Sequence, residues 1–222
     1  MSPLSRTIFD IETGGLPSKT ILSIAPEFKE SSVKVGNLGL DKALEKINHA
    51  RDQHLSRIKD TAALNAEYGF VMAIGLLTDD GTSTIQHGEE SNVLRQFWER
   101  ADADDRKGLI QWVGFNCFSF DLPFLFRRSL INGVTIPPNQ RPDVRYWPGF
   151  YLDLMEIWKA GNYRDMISLD RFCKAAGLPG KSGDGASFQT LYETDQDAAL
   201  AYLINDLVIT QRLADNILPL LP

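Results

Sequence analysis

Apolar and polar positions follow two different periods along the chain, and the switches between them mark its elements. Residues 6–11, RTIFDI, predict a short strand, which Gly14, Gly15 and Pro17 bring to an end. Residues 69–78, GFVMAIGLLT, form an apolar run of strand length. Asp79-Asp80-Gly81 then supplies a turn, and a third strand over 82–86 completes a hairpin. From residue 89 the period lengthens. Leu94, Phe97 and Trp98 recur at helical spacing and predict a helix over 89–101. A buried strand follows over 109–115, a helix over 121–132, and a short extended piece over 150–154. Residues 168–176 predict a helix stopped by Gly177. The last helix spans 195–217, capped by Thr194 with Asp197 three residues on, and Pro219 lies beyond its end.

Residues 18–65 fit neither the strands before them nor those after. They hold a turn-rich stretch around Val35-Gly36-Asn37, then the polar helical run DKALEKINHARDQHLSRIK. This reads as an insertion whose helix lies over or beside a main sheet. There is no internal repeat and no low-complexity segment. Three strands, then alternating helix and strand, then a long terminal helix make an α/β chain.

Composition narrows the class. The 222 residues suit one domain spanning 1–222, and a 43% apolar fraction supports a sizeable core. No apolar run is long enough to cross a bilayer, and MSPLSRTIFDIET lacks a signal-peptide layout. Cys117 and Cys173 lack metal-type spacing, so neither zinc nor a disulfide framework is expected. A soluble cytoplasmic protein without membrane contact is the expectation. The net charge of −6 argues against tight coating of duplex nucleic acid, which rests on Lys and Arg. It leaves a small end-binding site open, because clustered acids that hold divalent cations carry negative charge for that purpose.

Three short motifs carry candidate chemistry. In Phe9-Asp10-Ile11-Glu12-Thr13, strand alternation projects Asp10 and Glu12 from one face. Two adjacent carboxylates beside apolar sequence repel and resist burial unless cations compensate. The alternative is an exposed edge with solvated acids. In Gly114-Phe115-Asn116-Cys117-Phe118-Ser119-Phe120-Asp121, the aspartate precedes Leu122-Pro123 and would serve equally as a helix N-cap. In the terminal helix, Tyr202 and Asp206 are one turn apart on one face, which either addresses the interior or faces solvent.

Together, Asp-x-Glu on a first strand, Asn-x-x-x-Phe-Asp entering a middle helix and Tyr-x-x-x-Asp in the last helix resemble the DEDD superfamily of 3′–5′ exonucleases. Tyrosine in the third motif is similar to the tyrosine subgroup; the position that is histidine in the other subgroup is Ala201. A wider resemblance runs through Pro26-Glu27-Phe28, the helical insertion leading into 69–77, Leu169-Asp170 and Gly177-Leu178-Pro179-Gly180-Lys181. It is to predicted exonucleases related to the proofreading domain of family-B DNA polymerases.

The resemblance implies a ribonuclease H-like fold: a mixed five-stranded sheet with its second strand antiparallel, flanked by helices. The insertion over 18–65 is longer than in a minimal domain of this kind. Activity on the 3′ end of single-stranded DNA is implied, with two Mg²⁺ or Mn²⁺ ions. Asp10 would bridge both ions, Glu12 and Asp206 would complete the water-activating site, Asp121 would hold the second ion, and Tyr202 would orient the water. Thr13, Gly14, Leu16, Asn116, Phe120 and Lys181 are the candidate substrate contacts. For Gly14 the alternative is a plain strand-ending turn. For Phe115, Phe118 and Phe120 it is core packing, expected of at least two of the three. No polymerase sequence follows, so the enzyme is expected to act alone or with a polymerase or other replication or repair protein in trans. Two other readings stand beside this one: a 3′–5′ exoribonuclease with the same chemistry, and a catalytically silent nucleic-acid-binding or polymerase-associated module.

Overall fold

The computed structural model describes residues 5–143, 146–180 and 188–221. Its sheet contains β1 (Ser5–Gly15), β2 (Gly69–Thr78), β3 (Ser83–His87), β4 (Ile110–Gly114) and β5 (Tyr151–Asp153) in the spatial order β3-β2-β1-β4-β5. The β4 strand runs parallel to β1 and to β5, whereas β2 and β3 form an antiparallel hairpin. Backbone hydrogen bonds join Arg6 to Asp79 and Leu16 to Tyr68, so β2 also runs against β1. The result is the mixed five-stranded α/β sheet that the resemblance implied.

Adjacent residues of β1 serve opposite faces of this sheet. Phe9 packs with Phe97, Trp112 and Tyr151, their ring centroids 5.7–6.0 Å from its own. Ile8 and Val113 belong instead to a cluster with Leu207, Leu213 and Ile217. These three residues come from α8 (Gln196–Ile217), so that helix covers the Ile8 face. By parity Asp10 and Glu12 share the face of Ile8. They also lie beyond the β1–β4 pairing, which ends at Ile8↔Val113, near the carboxyl end of the parallel strands.

Several boundaries differ from expectation, each for a local reason. The β1 strand continues through Gly15, because Leu16 N–H still finds the Tyr68 carbonyl at 2.8 Å. The helix expected over 89–101 is α3 (Glu90–Lys107), running six residues further. Its apolar pattern ends at Ala101, but Asp104 is fully buried and accepts from Arg100 Nε and Lys107 Nζ, both at 2.8 Å. Gly108, at φ +66°, then ends it. The α4 helix (Asp121–Ile131) and α6 (Leu169–Ala175) lie where expected, while α5 (Leu154–Lys159) and α7 (Phe188–Thr194) are too short for periodicity to reveal. The cap of α8 is Asp195, whose carboxylate accepts Ala198 N–H at 3.0 Å, rather than Thr194. Thr194 is the last residue of α7 and turns its hydroxyl back to Thr190 O.

The chain divides into two compact units, one of Met1–Thr13 with Val71–Pro222, the other Gly14–Phe70. The second contains α1 (Ser18–Ile24) and α2 (Leu40–Asp60). No residue of α2 is buried. It is held within its unit by polar and aromatic contacts: Arg51 pairs with Glu30 and lies over the Phe28 ring, and Phe28 meets His54. Among the described residues, no helix is long and apolar enough to cross a membrane.

One glycine controls how α8 meets the sheet. A Cβ on Gly75 in β2 would lie 2.7 Å from Leu207 Cδ1 and 3.0 Å from Leu203 Cγ. These leucines are sequence neighbours of Asp206 and Tyr202. Gly75→Val is expected to destabilise the protein by about 2–3 kcal/mol through overpacking, with Gly75→Ala milder. A denaturant midpoint that falls for Val and less for Ala, at unchanged slope, is the check.

Candidate active site

Burial of the Ile8 face brings three acids together. Carboxylate oxygens of Asp10, Glu12 and Asp206 all lie within 4.8 Å of one another. Glu12 and Asp206 are buried at 8% and 2% exposure, and Asp10 is half-buried. Neither the solvated edge nor the solvent-facing aspartate describes this arrangement. Like charges so close in a poorly solvated place repel strongly, which favours a cation among them. The donors are all oxygen, a set suited to Mg²⁺ or Mn²⁺. The residues therefore fit a divalent metal site.

Asp121 reaches the same strand from α4. Its Oδ1 accepts Ile11 N–H at 3.2 Å, and it is 3% exposed. It is the first residue of α4, whose cap position, Phe120, makes no side-chain cap, so the N-cap alternative does not describe it. Burial, then the neighbouring Asp10 charge, pushes its pKa well above the carboxylate range.

Tyr202 stands one turn before Asp206 on α8. Burial pushes its hydroxyl pKa up, and the Asp206 and Glu12 charges add to the effect. The phenol is thus neutral at physiological pH and can orient a water without acting as its base.

The turn between β4 and α4 is shaped by a residue the motifs did not flag. Asp153, at the end of β5, accepts N–H groups from Asn116 at 2.7 Å, Phe118 at 2.8 Å and Met155 at 2.8 Å. It therefore caps α5 and ties down the segment leading to Asp121. Burial raises its pKa against the pull of those donors. Asn116 is held at φ +60°, and a Cβ on Gly114 would lie 2.7 Å from Cys117 Cβ. An aspartate ending the extended piece over 150–154 was the available signal.

The substrate-contact candidates divide. The Asn116 Oδ1 atom is buried with no hydrogen-bond partner among the described residues, as a group reserved for a ligand would be. Phe120 is half-buried, its ring 5.5 Å from that of Phe124. Phe115 and Phe118 are also half-buried, so none of the three aromatics is fully enclosed, although Phe115 packs against the core. Thr13 is half-buried, the last residue of the first segment of its unit. Gly14 and Leu16 belong to the Gly14–Phe70 unit, Gly14 still within β1. Lys181 lies outside the described residues.

Comparison with known proteins adds to this geometry. A family model described as a predicted 3′–5′ exonuclease related to the exonuclease domain of PolB matches residues 51–212. No curated protein matches the chain in sequence. Among solved structures, the family B DNA polymerase from the hyperthermophilic archaeon Pyrobaculum calidifontis is similar with a TM-score of 0.61 at 18% identity. The match covers 98% of this chain and 25% of the polymerase chain, so the likeness is one of fold with about a quarter of a longer protein.

Proposed function

Since the chain belongs to the family of predicted 3′–5′ exonucleases related to the exonuclease domain of PolB, we propose that it removes nucleotides one at a time from the 3′ end of single-stranded or frayed DNA. The observation that carries this reading is the close set of Asp10, Glu12 and Asp206 on the α8 face of β1. Asp121 lies beside that strand, bonded to Ile11 N–H.

In this reading Asp10, Glu12 and Asp206 would hold one divalent ion, and Asp121, with Asp10, would hold a second. Paired Mg²⁺ or Mn²⁺, when bound, offset the charge of the phosphodiester and lower the pKa of the attacking water. Tyr202 keeps its proton and fixes the direction of that water by a hydrogen bond. Asn116 offers its buried amide oxygen to the terminal nucleotide. Water oxygen bonds to phosphorus as the bond from phosphorus to O3′ breaks. The products are a nucleoside 5′-monophosphate and a strand one residue shorter with a free 3′-hydroxyl. A polymerase or other replication or repair protein would supply the frayed end.

The test is digestion of single strands labelled at either end, as DNA and as RNA, with Mg²⁺, Mn²⁺ or chelator. DNA should shorten from the 3′ end and chelator should stop it. Shortening from the 5′ end would contradict the proposal, and RNA consumed in preference to DNA would move it to an exoribonuclease. Melting temperature should also rise with Mn²⁺ in the wild type, because the ion binds the folded acids. An equal rise in Asp206→Asn would place the ion elsewhere.

A further inference from the structure

A chain of aromatic contacts leads from the far edge of the sheet to Tyr202. Phe188, the first residue of α7, is 2% exposed, with its ring centroid 6.4 Å from that of Tyr202 and 5.8 Å from that of Tyr192. Tyr192 sits one turn further along α7 and is anchored in turn. Its hydroxyl accepts Gln196 Nε2 at 2.7 Å and lies 3.0 Å from Nδ1 of His87, the last residue of β3. Gln196 Nε2 also lies 3.2 Å from that ring nitrogen. The anchoring therefore ties α7 both to the first turn of α8 and to the edge strand.

We propose that Phe188 is a positioning residue for Tyr202, braced by the Tyr192–Gln196–His87 cluster, so that α7 determines where the Tyr202 hydroxyl points. The physical basis is the geometry of a phenol. The hydroxyl lies at the far end of a rigid ring, so a small change of side-chain rotamer displaces it by more than an ångström. Losing alignment on that scale costs on the order of 10²-fold in favourable cases. Phe188 supplies a ring against which Tyr202 packs without offering a hydrogen bond that would compete for its hydroxyl.

This inference rests on the nuclease reading and on Tyr202 as the residue that orients water, so its test is a double-mutant cycle in the full chain. Phe188→Leu keeps an apolar side chain and should lower kcat about 10-fold, with KM and the Mn²⁺-induced rise in melting temperature unchanged. Tyr192→Phe keeps its ring, loses only the hydroxyl anchor, and should lower kcat by a smaller factor. In a Tyr202→Phe background neither change should lower kcat further, because the group they position is gone. Equal factors in both backgrounds, or wild-type kcat in both single variants, would overturn the inference while leaving the nuclease reading intact. A wild type inert on every strand and metal would overturn both together.

Discussion

Asp10→Asn is expected to lower the rate of 3′-end shortening roughly 10³-fold, about 4 kcal/mol of barrier, without unfolding the protein. Asparagine matches aspartate in shape but removes the charge shared, in the proposed mechanism, by both ions. Asp10 is half-buried on a strand whose packing is carried by Ile8 and Phe9 on its two faces, so the fold does not depend on its carboxylate. Relief of repulsion within the Asp10, Glu12 and Asp206 set should leave the metal-free melting temperature unchanged or slightly higher. Single-turnover digestion of labelled DNA beside a thermal melt separates the two effects. Wild-type rates in this variant would remove Asp10 from the chemistry, and a collapsed melt would mean that the lost activity reports only unfolding.

Much of the fold was legible because long elements carry their own period. The strand over 69–78, the hairpin turn at Asp79-Asp80-Gly81 and the terminal helix all lie where the pattern placed them. What escaped was decided by single contacts. Asp104 extends α3 past its apolar stripe because the carboxylate is satisfied inside the protein by Arg100 and Lys107, which no periodicity records. The start of α8 was misplaced by one residue because Thr194 and Asp195 are both good caps, and only the hydroxyl's bond back to Thr190 separates them.

The candidate site followed the same division. Alternation alone put Asp10 and Glu12 on one face, and the i, i+4 spacing put Tyr202 beside Asp206. That both pairs meet depends on α8 covering the Ile8 face, which packing decides and spacing does not. Asp121 was ambiguous in the sequence because a helix-starting aspartate usually caps; its bond to Ile11 N–H is a contact 110 residues distant. Asp153 and Phe188 were missed altogether. Neither belongs to a motif, and each acts on the site through another residue, Asp153 by gripping the turn before Asp121 and Phe188 by packing on Tyr202.

Asp121→Asn should divide function from stability. Asparagine can still accept the Ile11 N–H bond through its amide oxygen, and it never carries the charge that burial and Asp10 disfavour at this position. The pKa of Asp121 is raised in the folded state, so unfolded chains lose that proton at lower pH than folded ones. Below the ordinary carboxylate range both states are protonated and the residue carries no penalty. As pH rises through that range towards the folded pKa, the unfolded state is increasingly favoured. The metal-free variant should therefore melt at a higher temperature than wild type at pH 7, and the gap should close as pH falls below about 4. Activity should move the other way, falling roughly 10²-fold if Asp121 holds the second ion as proposed. Mn²⁺ should raise the melting temperature of wild type more than that of the variant, narrowing or reversing their order. A variant that melts below wild type at pH 7 without metal would show that the charge is compensated within the protein, and a Mn²⁺ response equal to wild type would remove Asp121 from the metal site.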